Sequence, residues 1–219
     1  MRARPAAVLA LLAAALPARP DGPAAASAGP FFGLRAGFAI PYGDVAQGGP
    51  RVEDLVERKF PLGLELGYRF HRRIWGELFF DLAPASASSE VCAAGIDCSA
   101  SDFRAGLAFL LRFAPRAFVD PWLGAGVGVE VLNVEGRNAA AGGVPYEWSW
   151  FGLELPFVEA GVDLAVWERV TIGPWISWTL ARFTSDSARA EGGETVSGSV
   201  ADRAQHGWYS GGIKATLHL

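Results

Sequence analysis

Residues 61–70 read PLGLELGYRF, and the fold turns on how this stretch is read. Leu62, Leu64, Leu66, Tyr68 and Phe70 take one parity; Gly63, Glu65, Gly67 and Arg69 take the other. Successive side chains of a strand point to opposite faces, so the stretch is a strand with one apolar and one polar face. A soluble sheet hides the apolar face in its core. A barrel in a membrane turns that face outward and points charges and glycines in.

The same alternation recurs in eight segments, roughly 31–42, 61–71, 74–83, 102–113, 118–132, 150–166, 169–183 and 206–219. Short connections (71–73, around Pro115, and 167–168) alternate with long ones (43–60, 84–101, 133–149 and 184–205). An even strand count with short turns at one end and long loops at the other is the pattern of a transmembrane β-barrel. The expected fold is therefore all-β, an eight-stranded antiparallel up-and-down transmembrane barrel. Both termini fall at the short-turn end.

All eight strands bear on the choice of face. One parity carries Phe32, Leu34, Phe38, Ile40, Ile74, Leu78, Phe80, Leu82, Phe103, Leu107 and Phe109, and continues through Val127, Ile172, Ile176, Trp178, Leu180, Tyr209, Ile213 and Leu217. The first charge on this parity is Arg182, at the loop end of its strand. The other parity carries Arg35, Glu65, Arg69, Glu77, Asp81, Arg104, Arg112, Asp120, Glu130, Glu154, Glu159, Asp163 and Lys214, with most of the strand glycines. A lipocalin-like soluble barrel would also have eight strands and would place these charges in water. Its exterior has no use for clustered glycine. A crowded concave interior does, beside side chains as large as Trp122 and Trp175. Tyr68, Phe70 and Phe113 near the short turns, and Tyr42, Phe103, Trp150 and Trp178 near the loops, read as two interfacial belts. The sixth segment changes phase near Pro156-Phe157, which predicts a β-bulge there.

Composition agrees. Hydrophobic residues make up 51% of the 219. Beyond the N-terminal region no uncharged apolar stretch is long enough for a helical span, which leaves a closed barrel. Residues 1–28 read as a cleaved secretory signal, with Arg2 and Arg4, the apolar run Ala6 to Ala15, and the small-residue site Ala26-Ser27-Ala28. The barrel domain would then be 29–219. Removing the signal takes Arg2, Arg4, Arg19 and Asp21 and leaves sixteen basic and twenty-two acidic residues, a net charge of −6. That balance argues against nucleic acid as a partner. Cys92 and Cys98, a close pair in an exported chain, are expected to form a disulfide in the second long loop; with no histidine nearby, zinc is not expected.

With the last strand, GWYSGGIKATLHL, the chain resembles the small outer-membrane barrels of Gram-negative bacteria, the OmpA/OmpX-like and opacity-protein-like superfamily. The resemblance spans residues 31–219. In these families an aromatic terminal residue with alternating apolar positions before it is read by the barrel-assembly machinery. Here Ile213, Ala215, Leu217 and Leu219 keep the alternation, but Leu219 stands where Phe is usual. The resemblance implies an outer-membrane location, loops extracellular and both termini periplasmic, contact with outer-membrane lipids and lipopolysaccharide, and a monomer. No domain follows the last strand, so the barrel is expected to stand alone.

Function is less constrained, because this fold hosts several. A lipid A-modifying enzyme is one reading, but His206 and Ser210 share the inner parity with Lys214, away from any acyl chain. No catalytic, metal or cofactor site is expected. The inner charges Arg35, Glu65, Arg69, Glu77, Asp81, Arg112, Asp120, Glu159, Asp163 and Lys214 are expected to pair as a network, with Arg69 near Glu77 and Arg112 near Asp120. Eight inner acids against five bases leave some carboxylates hydrated, protonated or bound to cations, and a wet pocket is expected near Glu130 and Glu154. An eight-stranded interior is about filled by side chains, so a wide pore is excluded. The expectation is a non-enzymatic barrel with a structural or surface-interaction role. The alternative is a narrow channel for small solutes or small hydrophobic compounds.

Overall fold

The computed structural model describes residues 28–88, 96–115, 117–138, 146–190 and 193–219. Eight long strands form the wall: β1 (Gly29–Gly43), β3 (Leu62–His71), β4 (Ile74–Ala87), β5 (Ile96–Arg112), β6 (Val119–Asn138), β7 (Tyr146–Trp167), β8 (Val170–Ala190) and β10 (His206–His218). Two short strands, β2 (Val56–Lys59) and β9 (Val196–Ser199), and one helical turn, α1 (Val52–Leu55), lie in the long connections. Each wall strand pairs antiparallel with the next, and β1 pairs with β10 from Phe31↔His218 to Gly43↔His206, which closes the ring. Closure pairs each wall strand on both sides through the described membrane-spanning part, the condition for backbone in hydrocarbon.

The parity reading of the wall is what the structure shows. Phe109 is 65% exposed and Ile176 67%, and the outward stripe around them has no core to cover it. All thirteen inner charges are buried. The strand glycines make room for rings: Trp175 lies opposite Gly161 on β7 and Gly212 on β10, and a methyl group at Gly161 would run into the Trp122 indole.

The bulge is present, slightly displaced. Gly126 pairs with Phe157 and Gly128 with Glu154, so Leu155 and Pro156 oppose the single residue Val127. Passing the extra residue turns Phe157 inward against Phe79, ring centroids 5.1 Å apart. A second irregularity lies just above, where β7 pairs with β8. Gly152 pairs with Phe183 but Phe151 with Ser185, which leaves Thr184 extra on β8.

The strands run further toward the loops than their alternation suggests. β6, β7 and β8 are 20, 22 and 21 residues long, against the roughly 9–11 needed to cross a bilayer. About half of each therefore stands beyond the apolar band at the loop end. The first long connection, 43–60, is not a loop on the rim. Past Gly43 the chain runs on to a turn at Ala46–Gly49, where Gly48 has a φ of 71° and the Gly49 N–H donates to the Ala46 carbonyl; α1 follows, and β2 then takes its place in the wall above β3, pairing with β1 at Ala39↔Lys59 and with β4 at Val56↔Ala87. The signal reading of residues 1–28 falls outside the described residues but for Ala28. Cys92 lies outside them too, while Cys98 sits on β5 opposite Gly136.

Candidate functional site

Buried polar side chains of the described residues converge in the interior, stacked in three levels. At the short-turn end, Arg112 on β5 joins β6 and β7. Its Nε donates to Asp120 Oδ2 and its Nη2 to Asp163 Oδ2, both at 2.7 Å. Asp163 also accepts from the Trp122 indole at 3.1 Å, and the Arg112 guanidinium lies 4.0 Å from the centre of the Trp75 ring, a cation–π contact. Arg69 donates to the carbonyls of Gly29 and Leu219, tying the start of β1 and the residue after β10 to the floor.

The middle level is built round Arg35 on β1. Its Nε and Nη2 grip both oxygens of Asp81 at 2.9 and 2.5 Å, and its Nη1 lies 3.5 Å from Glu65 and 3.4 Å from Glu159. A planar fork of this kind suits a carboxylate better than any single ammonium could. Lys214 bridges Glu65 at 2.6 Å and Glu77 at 3.3 Å, so Glu77 meets Lys214 where strand depth had suggested Arg69. Arg104 holds Glu154 through two bonds, 2.5 and 2.7 Å, and reaches Asp81 at 3.4 Å. Arg35 lies 5.1 Å from the ring centres of both Phe79 and Trp175, so aromatic faces fill what the ion pairs leave.

The upper level contains residues that parity alone did not single out. Lys59, from β2, is fully buried, pairs with Asp102 and lies 3.7 Å from Glu130. Its ammonium sits 3.4 Å from the centre of the Trp208 ring. Glu130 accepts from the Trp208 indole at 2.5 Å and meets His206 Nε2 at 3.0 Å; His206 stacks on Phe183 at 3.9 Å. Asp102 was visible in principle, because Phe103 beside it faces out. Lys59 was not, because it belongs to a connection with no alternation.

Above this level the mouth is shut by apolar side chains. Val45, Val52, Leu55 and Val56 of the first connection pack against Leu132, Val134 and Phe183 of the wall and Val200 of the last long connection. At the place where a wet pocket was expected, near Glu130 and Glu154, both carboxylates are fully buried, the upper one under this plug. Trp150 also turns inward onto the plug rather than joining an interfacial belt. His206 and Ser210 are both buried inside the wall, away from the lipid-facing surface. Among the described residues no group of histidine, cysteine, aspartate and glutamate has the geometry to hold a metal ion.

An outward apolar belt, a closed eight-strand wall and an ion-paired interior define a transmembrane β-barrel. No family model matches the chain, and no curated protein sequence does. Solved structures do. Neisserial surface protein A aligns over 88% of this chain and 99% of its own, with 15% identity and a TM-score of 0.52. A major outer membrane protein from Thermus thermophilus aligns over 87% and 99%, with 11% identity and a TM-score of 0.55. The outer membrane protein OprG from Pseudomonas aeruginosa aligns over 89% and 99%, with 15% identity and a TM-score of 0.50. At such identities the likeness is one of fold, and the fold is that of the small bacterial outer-membrane β-barrels.

Proposed function

We propose that the chain is a closed, non-conducting and non-enzymatic barrel of a bacterial outer membrane, with a structural or surface-interaction role. Its long loops stand outside the cell and both ends lie in the periplasm. The observation that carries this reading is the plugged mouth. Below it every level of the interior is crossed by ion pairs and aromatic rings of the described residues, an arrangement that disfavours a through path for solute. The surface on offer is the extended β6–β7–β8 wall beyond the membrane, where the rings of Tyr146 and Trp148 lie with centroids 5.6 Å apart. Outer-membrane lipids are the partners of the outward belt, and the barrel-assembly machinery is the partner of β10 during biogenesis.

One observation favours the narrow-channel alternative. Among the described residues the interior buries nine acids (Asp102 joins the eight of the alternating segments) against six bases. Glu77 Oε1 and Glu159 Oε1 are buried without a hydrogen-bond partner. A thin cation path would use such groups. Single-channel recording of the refolded protein in planar bilayers separates the two readings. The expected result is no unitary conductance. Steady cation-selective currents that vanish in Glu77→Gln would establish the channel instead.

A further inference from the structure

A notch of about 360 Å³ opens on the outer wall at the loop end of β7 and β8. Its apolar side is Leu153 and Leu155 of β7 with Leu180 of β8; its polar side is Arg182 and Thr184 of β8 with Arg203 and Gln205 of the segment before β10. The two bulges explain why a notch exists here. Between the extra residues at Leu155-Pro156 and at Thr184, β7 and β8 keep only the pairs Gly152↔Phe183, Leu153↔Arg182 and Glu154↔Ala181. Bulges bend a strand and sharpen its twist, so two of them, one on each strand, part the outer side chains. Residues 201–205 add the third wall by leaving the sheet between β9, in register with β8 up to Ser185↔Ser199, and β10, in register from His206↔Ala181.

The height of the notch is as informative as its shape. From Ile172 to Arg182 β8 climbs about 25 Å along the membrane normal, at ~3.3 Å per residue and a tilt near 40°, which matches the height of the apolar band of such barrels. Arg182 is thus the first charge above the outward stripe of Ile172, Ile176, Trp178 and Leu180, at headgroup level. The interior arginines Arg35, Arg104 and Arg112 each hold carboxylates. Arg182 and Arg203 are exposed and belong to no ion pair among the described residues, and no acidic residue lines the notch.

Two free guanidiniums above three leucines, at the boundary between headgroups and hydrocarbon, complement an anionic amphiphile. We propose that the notch is a binding site for a phosphorylated lipid of the loop-side leaflet. Arg182 and Arg203 take the phosphate, whose planar oxygen pairs suit their donor forks, and an acyl chain runs down over Leu155 and Leu180. The volume lies at the low end of the ~300–1,000 Å³ typical of ligand pockets, enough for one headgroup and the start of one chain. The proposal rests on the membrane-spanning, loops-outside reading above.

The test is native mass spectrometry of the protein released from phosphatidylcholine nanodiscs containing a small fraction of bis-phosphorylated lipid A. Wild type is expected to retain one phosphorylated lipid. The Arg182→Ala/Arg203→Ala double variant is expected to retain it about tenfold less or weaker still, as loss of charge-assisted hydrogen bonds implies. Arg189→Ala, an exposed arginine of β8 outside the notch, is expected to retain it as wild type does. Dephosphorylated lipid A should be retained poorly. Inorganic phosphate at millimolar concentration should not compete, because the chain supplies part of the binding. Equal retention by wild type and the double variant, equal retention of the dephosphorylated lipid, or full competition by inorganic phosphate would overturn the assignment. A protein that fails to enter the discs at all would overturn the membrane reading itself, a different and separately visible outcome.

Discussion

The lower interior and the mouth of this barrel are filled by opposite means. Below, the wall fills itself: side chains of the strands meet across the lumen as ion pairs around Arg112, Arg35 and Arg104, with Trp75, Trp122 and Trp175 between them. Above, a separate piece of chain comes in. The plug residues Val52, Leu55 and Val56 arrive from the first connection, and Lys59 of the same connection is buried beneath them. The contrast teaches how a narrow membrane barrel reconciles two demands. Each strand must be apolar on the lipid face. If the inner face were apolar as well, β7 or β8 would read as a continuous hydrophobic run, the signal of a helical span. Charges and glycines on the inner parity keep every strand below that threshold, and pairing makes them bearable once buried. The mouth lies beyond the membrane, is freed of that constraint, and closes as a soluble core does.

The largest expected effect breaks the lower filling. Arg35→Met leaves Asp81, Glu65 and Glu159 facing one another, and losing one partner of a buried pair costs about 3–5 kcal/mol. Urea unfolding of the protein in liposomes should show it. A loss under about 1 kcal/mol would mean that water, and not Arg35, balances these carboxylates.

Next comes the lipid face of the same wall. Ile176→Arg places a guanidinium near the middle of the apolar belt and should cost roughly 2–4 kcal/mol. The same substitution at Trp148, on the strand extension, should cost far less. Equal losses at the two positions in the liposome assay would contradict the placement of the band.

A smaller and local effect sharpens the distinction between wall and plug. Lys59→Met removes the cation from Asp102, Glu130 and the Trp208 ring and should loosen the plug by about 1–3 kcal/mol, the cost of orphaning buried acceptors. Hydrogen exchange should rise at residues 45–59 and stay unchanged at the β5–β6 ladder. Exchange that rises in both would show that the plug and the wall unfold as one unit.

The smallest effect concerns the loop cysteines. The predicted Cys92–Cys98 bridge would close only a short stretch of chain, so its reduction should scarcely move the unfolding midpoint. Alkylation and intact-mass measurement before and after reduction check that the bridge exists. Two modified thiols in the unreduced protein would remove it.

The alternation in PLGLELGYRF and its seven counterparts was enough to place the wall, its two faces, the buried Arg35, Glu65, Asp81 and Lys214, and the phase change near Pro156. Side-chain parity is a local property with a period of two, and membrane and lumen impose it along every strand. Which inner charges meet was another matter. Glu77 goes to Lys214 rather than Arg69 because β10 closes against β1, a contact between strands far apart in sequence. The plug was invisible for a related reason. Residues 43–60 carry no period of two, and four residues of helix are too few to show a period of their own. Val52, Leu55 and Lys59 acquire a core only once the closed wall surrounds them. What repeats along the chain was legible in the sequence; what fills the space that the closed ring creates was decided by tertiary structure alone.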